Sequence, residues 1–210
     1  MLNAQPLTTD LQQDLIRRGR YLQYLSISWM IVEATVGITA GVLAGSVALV
    51  GFGADSVIEL FSSFVLIWRL REGATGEHRE RTALKLVGYS FLALGGYVAF
   101  EATRDLILHR PPEASYMGIG LAAVAFVTMP ILARAKRRVA AGLRSEAMHA
   151  DSRQTDFCCY LSGILLGGLA LNARFHWWWA DPAAAMLMVP LIALEAARAL
   201  RGKSCCDSES

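Results

Sequence analysis

Long apolar runs alternate with short charged segments along the whole chain. An α-helix rises ~1.5 Å per residue, so a run of about twenty apolar residues crosses the ~30 Å hydrocarbon core of a bilayer. The pattern predicts six transmembrane helices, at 21–44, 46–70, 83–103, 116–133, 146–172 and 177–200. We therefore predict an all-α polytopic membrane protein, with an N-terminal segment 1–20, a six-helix transmembrane domain 21–200 and a tail 201–210.

Composition and charge support this class. Hydrophobic residues make up 54% of the chain and its mean hydropathy is +0.38, which is too apolar for an ordinary soluble domain. With the N-terminus inside, sixteen basic residues flank the helices on the cytoplasmic side, whereas the outer side has only Arg104, Arg110 and Arg174. The positive-inside rule then places both termini in the cytoplasm, and we expect the plasma (inner) membrane. The bilayer is the expected partner, and nucleic acid is not, because the basic residues sit at helix ends.

Two carboxylates lie in the middle of the second predicted span. Asp55 and Glu59 are four residues apart, so they occupy one face of a helix. Acids at mid-membrane are costly and normally face a pore, a polar partner or a cation. Paired acids with no basic residue between them suit a divalent cation. The alternative is a polar contact between helices that carries no ion.

The first half of the fifth span is polar on two stripes. At 100° per residue, Asp151 and Asp156 diverge by about 140°, so they should not both reach one ion. Asp156 matches the depth of the acids on the second span, and we predict it at the central site, with Asp151 on the inner approach. Asp151 could instead be an acid favoured by the helix N-terminus. The stripes consist of His149, Ser152, Asp156 and Cys159, and of Asp151, Thr155 and Cys158.

Four further residues have both a functional and a plain interpretation. Glu33, inside the first span, is a relay or pore acid, or else a packed hydrogen-bonding residue. Asp181 precedes Pro182 and is predicted to cap the sixth helix, with an ion-attracting acid at the outer mouth as the alternative. His149 is expected at the interface rather than as a ligand. Cys158 is a small core residue, or a soft ligand that favours zinc or cadmium.

These motifs resemble the cation diffusion facilitator family of divalent-metal transporters. The second span reads SVAL and then ADSVIE at 54–59, where the family carries two metal-binding acids that map onto Asp55 and Glu59. Thr155–Asp156 and Ala180–Asp181–Pro182 are also similar to the family pattern. The resemblance implies six spans and export of a divalent cation, with zinc expected, in exchange for protons. It also implies a homodimer.

Two departures from the family pattern affect these expectations. Ser152 stands where the family usually has a histidine four residues before Asp156, so water, Ser152, Asp151 or a cysteine must complete the ligand set. The family usually carries a cytoplasmic C-terminal domain after the sixth span, whereas only residues 201–210 follow it here, and we expect a truncated branch. We expect no cofactor besides the transported cation and no enzyme activity, because no nucleophile–base arrangement is visible. The alternative function is a non-transporting membrane protein that binds metal and modulates a partner.

Overall fold

The computed structural model describes residues 9–72, 77–143 and 146–201, with side chains described within 13–61, 85–143, 148–149 and 151–201. These residues form six helices and, within the described ranges, no strand. The helices are α1 Thr9–Ala44, α2 Val47–Glu72, α3 Glu77–Leu108, α4 Tyr116–Leu143, α5 Glu146–Phe175 and α6 Ala180–Leu200. The predicted all-α polytopic membrane fold is confirmed.

Each helix covers all or most of one predicted span, and several helices extend beyond it; α6 begins at Ala180, three residues after the predicted start at 177. Among the residues that the structure describes, five helices are long and apolar enough to cross a membrane, over 13–44, 85–108, 116–143, 151–175 and 180–200. The remaining helix, α2, corresponds to the span predicted at 46–70, and its side chains after Phe61 lie outside the described residues. The helices continue into polar sequence because a helical backbone satisfies its own hydrogen bonds in lipid and in water alike.

The helix α2 is at the centre of the bundle. It packs against α1, α3, α5 and α6, while the most extensive contacts pair α4 with α5, α3 with α6, and α1 with α2. A very short turn joins α1 to α2, in which Gly45 adopts φ +65° and the Ser46 amide donates to the Gly41 carbonyl at 2.9 Å. Such a positive φ suits glycine, which has no Cβ to clash. The turn makes α1 and α2 an antiparallel hairpin.

The backbones of α1 and α2 nearly touch where they cross. A Cβ on Gly53 would lie 2.7 Å from the Ile38 nitrogen, and one on Gly37 would lie 3.0 Å from the Gly53 Cα. Small residues allow this approach in membranes, where close packing holds helices together. The crossing brings Glu33, about one turn from Gly37, beside Ser56, which follows Gly53 on α2.

The loops at the Gly45 end of the bundle are joined by hydrogen bonds. The Glu113 amide donates to the Ala44 carbonyl at 2.8 Å, and the Asn172 side chain donates to the Pro112 carbonyl at 3.0 Å. Trp177 and Trp179 stack there with ring centroids 5.3 Å apart, and both are partly exposed. This exposure fits the interfacial preference of indoles, and the end corresponds to the predicted outer face.

Candidate metal site

Glu33 is a completely buried acid on α1 that faces α2 and α5. Its Oε2 accepts hydrogen bonds from the Ser56 hydroxyl at 3.3 Å and from the Cys158 thiol at 3.8 Å. Its other oxygen, Oε1, has no hydrogen-bond partner among the described residues. Part of the hydrogen-bonding capacity of this carboxylate is therefore unused inside the bundle.

Asp55 is also completely buried, and neither of its carboxylate oxygens has a hydrogen-bond partner in the described part of the chain. It lies near enough to Glu33 for their charges to interact. A buried charge is costly unless it is paired or binds a cation. The environment of Asp55 thus favours an ion or a proton at this position rather than a structural hydrogen bond.

Glu59 lies one helical turn after Asp55 and is 2% exposed. Its carboxylate accepts a hydrogen bond from the side-chain amide of Gln154 on α5. The charges of Glu59 and Asp55 also interact. The sequence prediction that the two acids share a buried face of α2 is therefore consistent with their positions, while metal binding by them stays a prediction.

A small pocket lies among α1, α2, α4 and α5. Two carboxylates, two hydroxyls and a thiol line it, and thioether and aliphatic side chains form the rest of its wall. Its lining consists of Ser26, Met30, Glu33, Glu59, Met129, Leu132, Thr155 and Cys158. The pocket therefore joins acids from the first two helices to the fifth helix.

The structure does not bring Asp156 to this pocket. Its carboxylate pairs with the guanidinium of Arg137 on α4, and its side chain is 31% exposed. Thr155 and Cys158, from the other stripe of α5, line the pocket instead. The predicted placement of Asp156 beside Asp55 and Glu59 therefore has no supporting contact among the described residues and stays a prediction, because packing against α4 turns the other stripe of α5 toward the pocket.

Asp151 forms an ion pair with a buried lysine. The Lys136 Nζ lies 2.9 Å from the Asp151 Oδ2 and donates to the Thr155 hydroxyl at 3.0 Å. Lys136 is completely buried, so these two partners compensate the cost of burying its ammonium group. Since Thr155 also lines the pocket, Asp151 lies one contact away from it, and its predicted position on the inner approach stays a prediction.

The other two candidates on the fifth span lie apart from the pocket acids. Ser152 is buried, and its hydroxyl donates to the His149 carbonyl at 2.6 Å. His149 is exposed, as the interfacial interpretation predicts. Neither side chain lines the pocket. Metal ligation by Ser152 or His149 therefore stays a prediction with no supporting contact.

Asp181 caps a helix other than the predicted one. It lies in the first turn of α6, but its carboxylate accepts from the Ser46 hydroxyl at 2.6 Å and from the Ala48 amide at 3.5 Å. It therefore caps the N-terminus of α2, whereas the N-cap residue of α6, Trp179, makes no capping bond with its side chain. Asp181 is 1% exposed, so it is satisfied and shielded rather than open at a mouth.

Sequence reasoning missed three residues around the site. Gln154 bonds Glu59, Lys136 bonds Asp151, and Glu195 on α6 lies near enough to Asp55 for their charges to interact. Glu195 also pairs with Arg198 at 2.6 Å. A signal for Glu195 was present, since an acid in an apolar span is a candidate by the rule applied to Glu33. Lys136 was counted only as a topological charge.

The buried acids lie around the pocket, but their side chains do not converge on one point. Among the described residues, no group of three His, Cys, Asp or Glu side chains converges closely enough to hold a metal ion. Ion binding would therefore require side chains to move together. Such motion is expected of a protein whose helices rearrange around a central site.

These observations define an integral membrane protein with buried acids near the middle of a helical bundle. Comparison with known proteins gives the family: the profile of the cation efflux transmembrane domain matches residues 24–203. The chain belongs to this family, which confirms the resemblance drawn from the second-span motif. The family is one of transporters.

Individual relatives agree with this assignment. The chain is 30% identical over 175 residues to an uncharacterized transporter of Synechocystis, covering 78% of this chain and 56% of that protein. It is 24% identical to the cation-efflux pump FieF of Shewanella oneidensis, over 81% of this chain and 60% of the pump. It is 25% identical to Transmembrane protein 163 of Xenopus laevis, over 78% and 58% respectively. The chain thus spans somewhat over half the length of these relatives.

Proposed function

We propose that this protein is a secondary transporter that exports a divalent metal cation, with zinc as the expected substrate, in exchange for protons. The observation that carries the proposal is Asp55, a fully buried acid whose two oxygens lack hydrogen-bond partners within the described ranges. In an acid with a purely structural role, these oxygens would accept hydrogen bonds. An acid that binds and releases a cation must keep them available.

The proposed mechanism uses the acids of α2 as alternating cation and proton acceptors. Asp55 and Glu59 bind the ion from the cytoplasm while deprotonated, and the bundle then rearranges to open toward the outside. Protons from the outer side displace the ion, since ligands must lose their protons to bind metal. Gln154 can hold Glu59 in place between cycles because its amide donates to that carboxylate.

The family match and the cation-efflux pump of Shewanella oneidensis support cation efflux as the class of activity. Zinc, proton exchange, the plasma membrane and a homodimer belong to the proposal.

Light scattering on the detergent-solubilised protein tests whether it is a dimer. A dimer should have a protein mass of about twice 22.9 kDa. A protein mass near that of one chain would contradict it.

Reconstitution into vesicles tests the function. Proteoliposomes loaded with a zinc-sensitive dye should show saturable zinc flux that depends on an imposed pH gradient. A collapsed gradient should reduce the flux, and empty vesicles give the background. Metal binding by the purified protein without any flux would contradict transport and would favour the alternative, a membrane protein that binds metal and modulates a partner.

A further inference from the structure

The pocket contains a sulfur atom beside a carboxylate. The Cys158 Sγ lies 3.8 Å from the Glu33 Oε2, and Cys158 is 3% exposed. Glu33 Oε1 lacks a hydrogen-bond partner in the described part of the chain and belongs to a residue that lines the same pocket. A thiol and an available carboxylate oxygen thus meet at one buried point, supplied by α5 and α1.

The wall of the pocket is also rich in sulfur. Met30 and Met129 line it together with Cys158, so three helices each contribute a sulfur-bearing side chain. Thioether and thiolate sulfur are soft ligands, whereas carboxylates suit harder ions. A pocket with both kinds of ligand favours borderline and soft divalent cations over hard ones.

We infer that Cys158 and Glu33 are specificity-determining ligands of the cation pocket and select a zinc- or cadmium-like ion over a manganese-like one. The inference rests on the proposed function for its physiological role, but cation binding in the pocket can be tested separately. Glu59, which lines the pocket as well, and Asp55, one helical turn before it on α2, would complete the set when the side chains close around the ion. Cys158 would coordinate as the thiolate, so binding releases its proton to solvent.

This ligand set would compensate for the missing histidine of the family pattern on the fifth span. Ser152 stands in place of the family's usual histidine, and its hydroxyl bonds within its own helix. Cys158 lies on the stripe of α5 that does line the pocket. It can therefore supply the borderline-to-soft ligand that an imidazole would otherwise provide.

The test uses cadmium as a spectroscopic probe of sulfur ligation. The full chain with Cys205 and Cys206 replaced by serine is purified and titrated with Cd²⁺, and the ultraviolet thiolate-to-cadmium charge-transfer absorption is followed. We expect the absorption to appear with Cd²⁺, to fall when Zn²⁺ competes, and to persist when Mn²⁺ is added. Absence of the absorption in this parent protein would overturn the inference.

Two neighbouring cysteines provide a matched pair of variants. Cys158→Ser should abolish the absorption and weaken Cd²⁺ binding about tenfold or more, with a smaller effect on Mn²⁺. Cys159→Ser should change neither, because Cys159 is partly exposed and its thiol contacts the Phe126 carbonyl at 3.9 Å. Absorption that survives Cys158→Ser and disappears in Cys159→Ser would overturn the assignment.

A third variant addresses the carboxylate. Glu33→Gln keeps the shape of the side chain and should weaken Cd²⁺ binding while retaining the absorption at saturating metal. Unchanged Cd²⁺ affinity in a folded Glu33→Gln protein would remove Glu33 from the ligand set. The proposed transport function is judged separately, by zinc flux, so loss of this inference leaves that function standing.

Discussion

The ammonium of Lys136 lies 2.9 Å from the carboxylate of Asp151, and this lysine is completely buried between α4 and α5. Removing one partner of a buried ion pair leaves an uncompensated charge, which typically costs ~3–5 kcal/mol. We expect Asp151→Asn to lower the thermal stability of the protein in detergent markedly. Because Asp151 is 18% exposed, Lys136→Met should destabilise less, since water can still solvate the remaining acid.

An exposed ion pair supplies the control. Arg18 and Asp14 lie 2.8 Å apart with side chains 68% and 45% exposed, so Asp14→Asn should change stability by no more than ~1 kcal/mol. Thermal unfolding followed by size-exclusion chromatography measures all three variants. Equal effects of Asp14→Asn and Asp151→Asn would show that the buried pair has no special role.

The crossing of α1 and α2 predicts a strict size limit at Gly53. Gly53→Ala would place a Cβ 2.7 Å from the backbone nitrogen of Ile38, so the helices must separate. We expect a loss of ~1–3 kcal/mol of stability, typical of overpacking, together with reduced transport, because the same crossing aligns Glu33 with Ser56. The measurement is thermal stability in detergent combined with zinc flux.

An open glycine is the matched control for this change. A Cβ on Gly167 would meet no atom of the described residues within 4 Å, so Gly167→Ala should be neutral or gain ~0.5–1 kcal/mol from the better helix former. Comparable losses at Gly53 and Gly167 would refute the packing explanation.

Asp181 is predicted to be a structural cap rather than an ion-attracting acid. Asp181→Ala would leave the Ser46 hydroxyl and the Ala48 amide without their acceptor, at a cost of ~0.5–2 kcal/mol. We expect lower stability but an unchanged KM for zinc in the protein that folds. Glu113→Ala, which removes an exposed acid at the same end, is the control for simple charge loss. A raised KM in Asp181→Ala alone would support an ion-attracting role.

The rotation of α5 predicts an order of importance among acids. Glu59 is buried and lines the pocket, whereas Asp156 pairs with Arg137 and is partly exposed. We therefore expect Glu59→Gln to weaken zinc binding more than Asp156→Ala, as measured by titration calorimetry on the purified variants. The reverse order would mean that Asp156 turns inward when the metal binds. The sequence prediction, which places Asp156 beside Asp55, requires that arrangement.

Sequence alone was sufficient for the helices and for the acids of α2. The length of an apolar run is enough to predict a transmembrane helix. A spacing of four residues places Asp55 and Glu59 on one face of that helix, independently of the rest of the fold. The fifth helix was different, because its two polar stripes are equivalent by periodicity. The ion pairs of Lys136 and Arg137 with α5 determine which stripe faces the pocket.

Long-range partners were also beyond the sequence. Asp181 has the local pattern of a cap for its own helix, yet its carboxylate accepts from Ser46, which is 135 residues away in the chain. The proximity of Glu33 to Cys158 likewise depends on the close crossing of α1 and α2 and on the rotation of α5. Neither relationship leaves a periodic signal in the sequence.

The most direct test of the account is zinc flux through Asp55→Asn in proteoliposomes. Because the Asp55 oxygens have no hydrogen-bond partner in the described residues, the isosteric amide should leave folding and insertion intact. Removing the charge should, if anything, ease insertion, since an acid at the helix centre costs ~2.5–3.5 kcal/mol on insertion scales. We predict flux at the background of empty vesicles, with a protein level and thermal stability at least equal to the wild type. Wild-type flux from a well-inserted Asp55→Asn protein would contradict the central claim that Asp55 binds the transported cation.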